Sequence, residues 1–546
     1  MQNTRFSPSE LNEILVEYFG LTEKNIDSFV SPEYHFGDFF LFKDMEKAVG
    51  RLYRAIKNNE NIGIYGDYDC DGIPAVVILV DLFKKIGNIE NIHIYIPDRH
   101  DEGYGLSQRG IDELFKKGVS LMITVDLGIT AIDHVKNAQE KGIDVILTDH
   151  HEPLNTGFPE AYCVIHPRNG TYPNQDPCGA GVAFYFISAF LEKYRGEFDI
   201  QIGWEKWLLD LVGFATLADM VPLVGENRML AKYGLVVMNQ TKRLGLKTLF
   251  LKNNINLNYL TENDLTFTLA PRLNAASRMD TPMLAFELLS TNDETVALTI
   301  VKKLDQINNE RKLLVARIVK SAHINLDNRE LPEIVVVGNP DWRPAVLGLV
   351  ANKLQEFYNK SFFVWGEGGD GSIKGSCRMV SRHHAALLFQ ALPKDFMLHA
   401  GGHKAAGGFS ITKEKIHFLE NALNSSISNV SHIEESLEEK TIILSLGSVT
   451  IKNLEVIRKF APFGVENLEP IFLFKNVEVQ NIKMFGKNKE HLECIMREGS
   501  YSVIAFNFFT SKDLLSKLSI GSIVSFTGVF ESGYRGGVRI RIKEVL

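Results

Sequence analysis

The chain has 546 residues, too many for one ordinary hydrophobic core, so three or four domains are expected. Hydrophobic residues make up 45% and charged residues 23%, which excludes wholesale disorder. A net charge of −8 excludes a uniformly basic DNA-coating protein but leaves room for local patches.

The N-terminus, MQNTRFSPSELNEIL, lacks the basic-then-apolar pattern of an export signal, and no run of roughly eighteen apolar residues marks a membrane span. A cytoplasmic protein with no membrane association is expected. Residues 1–50 read as a helical lead-in, with a loop at Ser31-Pro32-Glu33. From Asn61 to about Pro167, short apolar runs alternate with segments of helical period. NIGIYGD, NIHIYIP, SLMITVD, DVILTDH and AYCVIHP are the strands, with helices expected over 74–87, 106–117 and 130–141. This rhythm predicts a parallel α/β sheet within a domain spanning 51–298. Helices follow, one across WEKWLLDLVGFATLAD. Residues 299–326, free of Gly and Pro and carrying an apolar stripe, read as a long helix connecting two domains. A second α/β pattern opens at EIVVVG and defines a domain at 327–430, bounded by the polar, acidic stretch SSISNVSHIEESLEEK. Short strands rich in Val, Ile and Phe then suit a small β-barrel over 440–546. From Asn481 onward ten Lys/Arg face six acids, a local excess of four positive charges suited to a phosphate backbone or to an ordinary solvated surface. The cysteines (Cys70, Cys163, Cys178, Cys377, Cys494) are scattered and read as reduced thiols.

The chemistry gathers at strand ends. In an open parallel sheet, functional groups collect at the carboxyl edge. NIGIY runs into Gly66-Asp67-Tyr68-Asp69-Cys70-Asp71-Gly72, SLMITV ends at Asp126, and DVILT ends at Asp149-His150-His151; Asp219 follows the helical run ATLAD. Each element has a plainer reading: Asp-Gly makes turns, His pairs pack or cap, and Asp126 could cap a helix. Together they crowd carboxylates at one edge, which repel unless a cation neutralises them. Aspartates with one or two imidazoles suit manganese or magnesium better than zinc. Two ions about 3.5–4 Å apart, sharing a carboxylate, could activate water against a phosphodiester.

GDYDCDG, TVDLGIT, TDHHEP and ATLADMVPL, in that order, resemble the successive motifs of the DHH phosphoesterase superfamily, and within it of the RecJ family of single-strand exonucleases. APRLNAASRMD, NPDWRPAVLGLVANKL and GGHKAAGGF resemble later motifs of that family, so the likeness spans roughly residues 50–546. The resemblance implies 5′ to 3′ degradation of single-stranded DNA in repair and recombination, two Mn2+ or Mg2+ ions, and release of 5′-mononucleotides. Carried over, Asp69 would bind one ion, Asp71, His150 and Asp219 the other, and Asp126 would bridge them. Asp67 would support the first site, and His151 would contact the scissile phosphate or orient water. Arg278, Arg343 and Arg378 match phosphate-holding positions, with Ser376 beside Arg378; Arg99 and Tyr104 could take a phosphate or base. The glycines Gly401, Gly402, Gly407 and Gly408, with His403, either let backbone N–H groups reach a phosphate or simply pack a turn against a strand. The terminal barrel resembles an oligonucleotide-binding fold, with Tyr534, Arg535, Arg539 and Arg541 as its candidate contacts. After KGSCR, the segment Met379–His384 departs from the family pattern, which bears on 5′-end preference.

Single-stranded DNA is the expected partner, a single-strand-binding protein and a helicase are candidate ones, and a monomer is expected. Alternatives are a phosphodiesterase for short oligonucleotides or cyclic dinucleotides, a pyrophosphatase, and a catalytically silent single-strand-binding scaffold. The terminal barrel argues against the small-substrate enzymes, and the filled ligand positions against the scaffold.

Overall fold

Valine, isoleucine and leucine runs short enough for strands, each followed by a helical segment, settle into a doubly covered sheet. The computed structural model describes residues 4–99, 101–154, 157–327, 329–369, 371–402, 404–427, 440–486, 489–508, 510–533 and 536–546. Strands β1 (Asn61–Gly66), β2 (Ile92–Tyr95), β3 (Val119–Val125), β4 (Asp144–Thr148) and β5 (Cys163–Ile165) form an all-parallel sheet in the order β2-β1-β3-β4-β5. From β1 the chain steps outward to β2 and then returns to β1's other side for β3. The crevice beyond the ends of β1 and β3 is therefore the topological switch point, where α/β sheets leave room for ligands. Asp67 and Asp126 stand at its two lips.

The helix Gly72–Ile86 follows β1 and buries nearly its whole first three turns, as its apolar sequence dictates. It packs against the equally apolar helix Gly179–Tyr194. Gly66 makes the close approach possible, because a Cβ there would stand 2.1 Å from Val76 Cγ2. The segment 204–219 begins as a 3-10 turn (Trp204–Leu208) and becomes an α-helix over Leu209–Ala218, ending on Asp219.

The long helix runs over Glu294–Leu326, starting earlier than its charged stripe suggests because Asp293 caps it, accepting from Thr295 N (2.7 Å) and Val296 N (3.0 Å). At 33 residues it is roughly 50 Å long. Ala297, Ile300, Val301 and Leu304 are buried on its first half, which packs on the helices Leu244–Lys252, Ala270–Met279 and Met283–Ser290. Val315, Ile318, Ala322 and Leu326 on its second half join the core of the second sheet. That sheet, β6 (Ile334–Gly338), β7 (Ser361–Glu367), β8 (Ile373–Arg378), β9 (His399–Gly402) and β10 (Ala406–Ile411), is mixed: β6 and β7 are parallel, and the rest of the order β6-β7-β8-β10-β9 is antiparallel.

Residues 36–221 and 233–436 make up one compact unit; residues 1–35, 222–232 and 437–546 make up the other. In the second unit, β11 (Thr441–Ile443) pairs with the first strand of a closed barrel built from β12 (Ile471–Phe485), β13 (His491–Glu498), β14 (Tyr501–Asn507), β15 (Ile523–Ser532) and β16 (Val538–Val545). The order is β12-β13-β14-β16-β15, closed by β15 on β12, with β14 and β16 alone parallel. That is the connectivity of an oligonucleotide-binding barrel. Its core includes Phe472, Phe474, Phe526 and Phe530, and also Leu11 and Leu15 from the N-terminal helix Pro8–Tyr18. The lead-in helix is thus part of the barrel's own core. Arg228 does similar work: at 3% exposure it donates to the carbonyls of Phe29 and Phe460, both at 2.9 Å.

All five cysteines are buried and free. Among the described residues, no helix is long and apolar enough to cross a membrane.

Candidate metal centre

The turn after β1 and the ends of β3 and β4 bring the acidic and imidazole side chains to one spot. Ligand atoms of Asp67, Asp69 and Asp126 lie within 4.8 Å of one another, as do those of Asp71, His150 and Asp219. His150 joins the two trios: its Nε2 is 3.2 Å from Asp126 Oδ1, 3.6 Å from Asp71 Oδ2 and 3.7 Å from Asp219 Oδ2. A third group, Asp126 with His150 and His151, overlaps both.

Asp126 is at the centre. It is buried, and its backbone has φ +62°, a left-handed conformation uncommon outside glycine, though aspartate is among the residues that tolerate it. The helix-cap reading of Asp126 does not hold, since the helix Ile132–Glu140 is preceded by Ala131 at the cap position. Neither Asp126 Oδ1 nor Asp67 Oδ1 has a hydrogen-bond partner among the described residues. Burial, reinforced by Asp71, pushes the Asp126 carboxyl well above the usual range. Burial and Asp69 do the same to Asp67, and burial and Asp71 to Asp219. Asp71 is raised only to about 6, because against burial and Asp69 it accepts from Ala180 N (2.7 Å) and Gly179 N (2.5 Å). Those N–H groups open the helix Gly179–Tyr194, whose positive end favours a carboxylate. Buried carboxylate oxygens that lack hydrogen-bond partners among the described residues and sit among like charges are the condition a divalent cation relieves, and carboxylate oxygens with one or two imidazole nitrogens fit Mn2+ or Mg2+.

Residues outside the expected set hold this arrangement. Asp149 is fully buried; its Oδ1 accepts from His150 N (2.8 Å), His151 N (3.1 Å) and His151 Nδ1 (2.8 Å), while Oδ2 takes Ile129 N (2.9 Å). Burial opposes its charge, yet His151 holds it at about 2, and His151 in turn, against its own burial, is raised to about 9 by Asp149. The Tyr104 hydroxyl lies 3.1 Å from His151 Nδ1. Gly179 is obligatory: a Cβ there would stand 2.4 Å from Asp126 Oδ1. Asp149 was visible as the first letter of its motif. Gly179 had a weaker signal, the Cys178-Gly179-Ala180-Gly181 run that opens a helix.

A second focus is cationic. Arg278 donates to Ala345 O at 2.8 Å, docking its helix on the turn Pro344–Val346, which leads into the helix Leu347–Tyr358. Arg378 and Ser376 lie against that helix's first turn: a Cβ built at Gly348 would be in ordinary contact with both, 3.5 Å from Arg378 Nη2 and 3.6 Å from Ser376 Oγ. Arg343 is exposed at the same turn. Burial together with Arg99, Arg311 and Arg378 depresses the Arg278 guanidinium to about 9. Arginines gathered at a helix start make an anion pocket. Arg311, on the long helix, was not anticipated; its Nε is buried without a hydrogen-bond partner among the described residues. Arg99 stacks on Tyr68, with Cζ 4.8 Å from the ring centroid.

The glycine-rich segment is a strand pair, not a loop. Gly402 pairs with Gly407 and Gly401 with Gly408, and β9 lies two strands, about 10 Å, from β8 with its Ser376 and Arg378. At Gly402 and Gly407 packing is the requirement, since a Cβ would meet Ala406 O at 2.4 Å and Phe389 Cε2 at 2.7 Å; Gly401 faces open space. His403 lies outside the described residues, as do Tyr534 and Arg535 in the barrel. Arg539 and Arg541 share one face: Arg541 Nε binds Glu531 at 2.7 Å and its Nη2 Glu469 at 3.2 Å, while Arg539 covers Phe506 at 4.0 Å and reaches Glu531 at 3.3 Å.

An all-parallel sheet with this carboxylate cluster at its switch point, joined by a long helix to a mixed sheet with an arginine pocket, defines a phosphoesterase of the DHH type. Family models agree: the DHH family N-terminal domain matches residues 61–216, the DHHA1 domain 331–429 and the RecJ OB domain 442–543. The chain is 31% identical to the single-stranded-DNA-specific exonuclease RecJ of Haemophilus influenzae, across 91% of this chain and 88% of that protein. It is 33% identical to the RecJ exonuclease of Bacillus subtilis across 90% of this chain, but spans only 62% of that longer protein. A crystal structure of exonuclease RecJ bound to manganese superimposes with a TM-score of 0.62 at 29% identity, covering 73% of this chain and 99% of that one. The chain belongs to the RecJ family of exonucleases.

Proposed function

We propose that this chain is a single-stranded-DNA-specific exonuclease that removes 5′-mononucleotides by divalent-metal-dependent hydrolysis, acting in DNA repair and recombination in the cytoplasm. The observation that carries it is Asp126, buried in one trio of ligands, with an oxygen that has no hydrogen-bond partner among the described residues and lies 3.2 Å from His150 of the other trio. Asp67, Asp69 and Asp126 would hold one Mn2+ or Mg2+, and Asp71, His150 and Asp219 the other, with Asp126 facing both. Such a pair of ions supplies Lewis acidity to the attacking water and the leaving oxygen.

The chain's own groups do the rest. Asp149 fixes the orientation of His151, so that its ring meets the scissile phosphate as a donor beside the cluster. Arg278, Arg343 and Arg378, with Ser376, bind the phosphates of the terminal nucleotides at the start of the helix Leu347–Tyr358 and hold the scissile bond in register. Arg99 and Tyr104 flank the same approach, and Gly401 and Gly402 offer backbone on the last strand of the second sheet.

The deciding experiment is digestion of single strands labelled at either end, with and without Mn2+. A 5′ label should appear at once as mononucleotide, a 3′ label should pass through a shrinking ladder, and chelation should stop both. Immediate release of the 3′ label, or activity that survives chelation, would overturn the reading.

The barrel supplies a separate test. Glu531 engages both Arg539 and Arg541, so it competes with a strand phosphate for them. Arg541→Gln should weaken binding of long single strands and reduce the salt slope by roughly 0.7 for the lost contact, whereas Glu531→Gln should tighten binding. Dinucleotide hydrolysis should stay unchanged in both. Filter binding across a salt series checks this; matching effects from the two substitutions would remove these arginines from the strand path.

A further inference from the structure

Away from the metal cluster, on the same compact unit, a cavity of about 360 Å³ opens between four segments. It lies at the far ends of two helices that touch the cluster. The helix Gly72–Ile86 begins beside Asp71 and brings Lys84 and Lys85 to the cavity with its last turn; the helix Leu209–Ala218 starts there, at Asp210, and ends on Asp219. Helical rise puts the cavity roughly 13–20 Å from the cluster, beyond the reach of a nucleotide held at the metals.

Its lining combines flat aromatic faces with cations. Trp204 and Trp207 form one wall, and Trp207 is 40% exposed with Lys242 Nζ lying 4.0 Å from its ring centroid. Lys84, Lys85 and Lys242 are exposed at the rim. The floor is rigid and nearly neutral: Arg243 bonds Asp81 (2.7 Å) and Asp210 (3.0 Å), and Thr241 Oγ1 donates to Asp210 at 2.7 Å. Four lining cations against two carboxylates leave a local positive excess on a chain whose net charge is −8.

We propose that this cavity is a second nucleotide-binding site. A base stacks on Trp207, where indole faces accept any base, and its phosphate takes Lys84, Lys85 or Lys242. The volume suits one nucleotide rather than a chain segment. The floor favours a base over an acidic peptide, because Asp81, only half-buried at its edge, accepts a hydrogen bond from an exocyclic amine but repels a carboxylate. The same ligand chemistry has two sources: a free mononucleotide, or a nucleotide within a bound strand.

The test titrates the full chain, kept metal-free with a chelator, with deoxyadenosine 5′-monophosphate and follows tryptophan fluorescence. A saturable change is expected, with affinity at least about tenfold lower in the doubly neutralised Lys85→Gln/Lys242→Gln protein and in Trp207→Ala, and largely kept in Trp207→Phe. Arg278→Gln, which disables the other phosphate pocket, should leave the titration intact, so this site stands or falls separately from the nuclease reading. A short oligonucleotide that competes with the mononucleotide assigns the strand as a source; failure to compete assigns the free nucleotide. No saturation up to about 10 mM, loss in Arg278→Gln with none in the lysine variants, or equal response to inorganic phosphate or an acidic peptide would each overturn the proposal.

Discussion

Replacing Asp126 with asparagine should abolish turnover while making the metal-free protein more stable. Asparagine keeps the shape and tolerates the left-handed backbone at φ +62°, so the fold survives. Activity should fall by on the order of 10^3-fold or more, the effect of losing several kcal/mol of charge stabilisation in the transition state. Stability moves the other way. The substitution removes one of the crowded buried charges and should gain about 1–2 kcal/mol without metal, a melting shift of a few degrees. Saturating Mn2+ should stabilise the unaltered chain by about 2.7 kcal/mol or more for a site filled at a hundredfold excess over its dissociation constant, and should stabilise the variant much less. Melting curves with and without Mn2+, beside single-turnover assays, read all three effects. Equal Mn2+ stabilisation in both proteins would show that Asp126 is not a ligand.

A second large effect should come from a residue with no chemistry of its own. Gly179→Ala adds a methyl group 2.4 Å from Asp126 Oδ1 and 2.5 Å from its Cβ, where ordinary contacts need over 3.4 Å. Either Asp126 or the start of the Gly179–Tyr194 helix must shift by about 1 Å, and that helix start also binds Asp71 through two N–H groups. Displacements of this size cost on the order of 10^2-fold in rate. Both ligand trios are disturbed, so the Mn2+ concentration for half-maximal activity should rise along with the fall in kcat. A variant that folds, by circular dichroism, and shows ordinary kcat and Mn2+ dependence would remove Gly179 from the architecture of the site.

The two predictions divide along what was readable in the chain. Asp126 could be found from sequence because its position depends on a local signal plus one rule: apolar runs of strand length, separated by helices, pair in parallel and place their carboxyl ends on one edge. Asp67, Asp69, Asp71 and His150 were reached the same way and Asp219 from the end of an apolar helical run, and the structure gathers them into two trios that meet where His150 approaches Asp126. Gly179 could not be weighed so. Its requirement arises from Asp126, 53 positions earlier, and from Asp71, 108 positions earlier, and neither separation leaves a periodic trace. Asp149 stood in view inside its motif, but its work is pinning His151, which depends on how the turn after β4 folds back on itself. The glycine-rich segment shows the opposite failure. Its composition suits a phosphate loop and a tight strand pair equally, and the register of β9 on β10 decides for the strand pair.

By itself, the sequence determined the parallel sheet, the long helix, the terminal barrel and the ligand types that crowd one strand edge, because hydrophobic periodicity and strand-end placement are local properties. Tertiary structure alone decided that Gly179 must lack a side chain beside Asp126, that the first helix completes the barrel's core, and that two helices ending on ligands frame an aromatic, cationic cavity at their other ends. These arise from packing between segments distant along the chain, where close approach and burial, not residue pattern, set what each side chain meets.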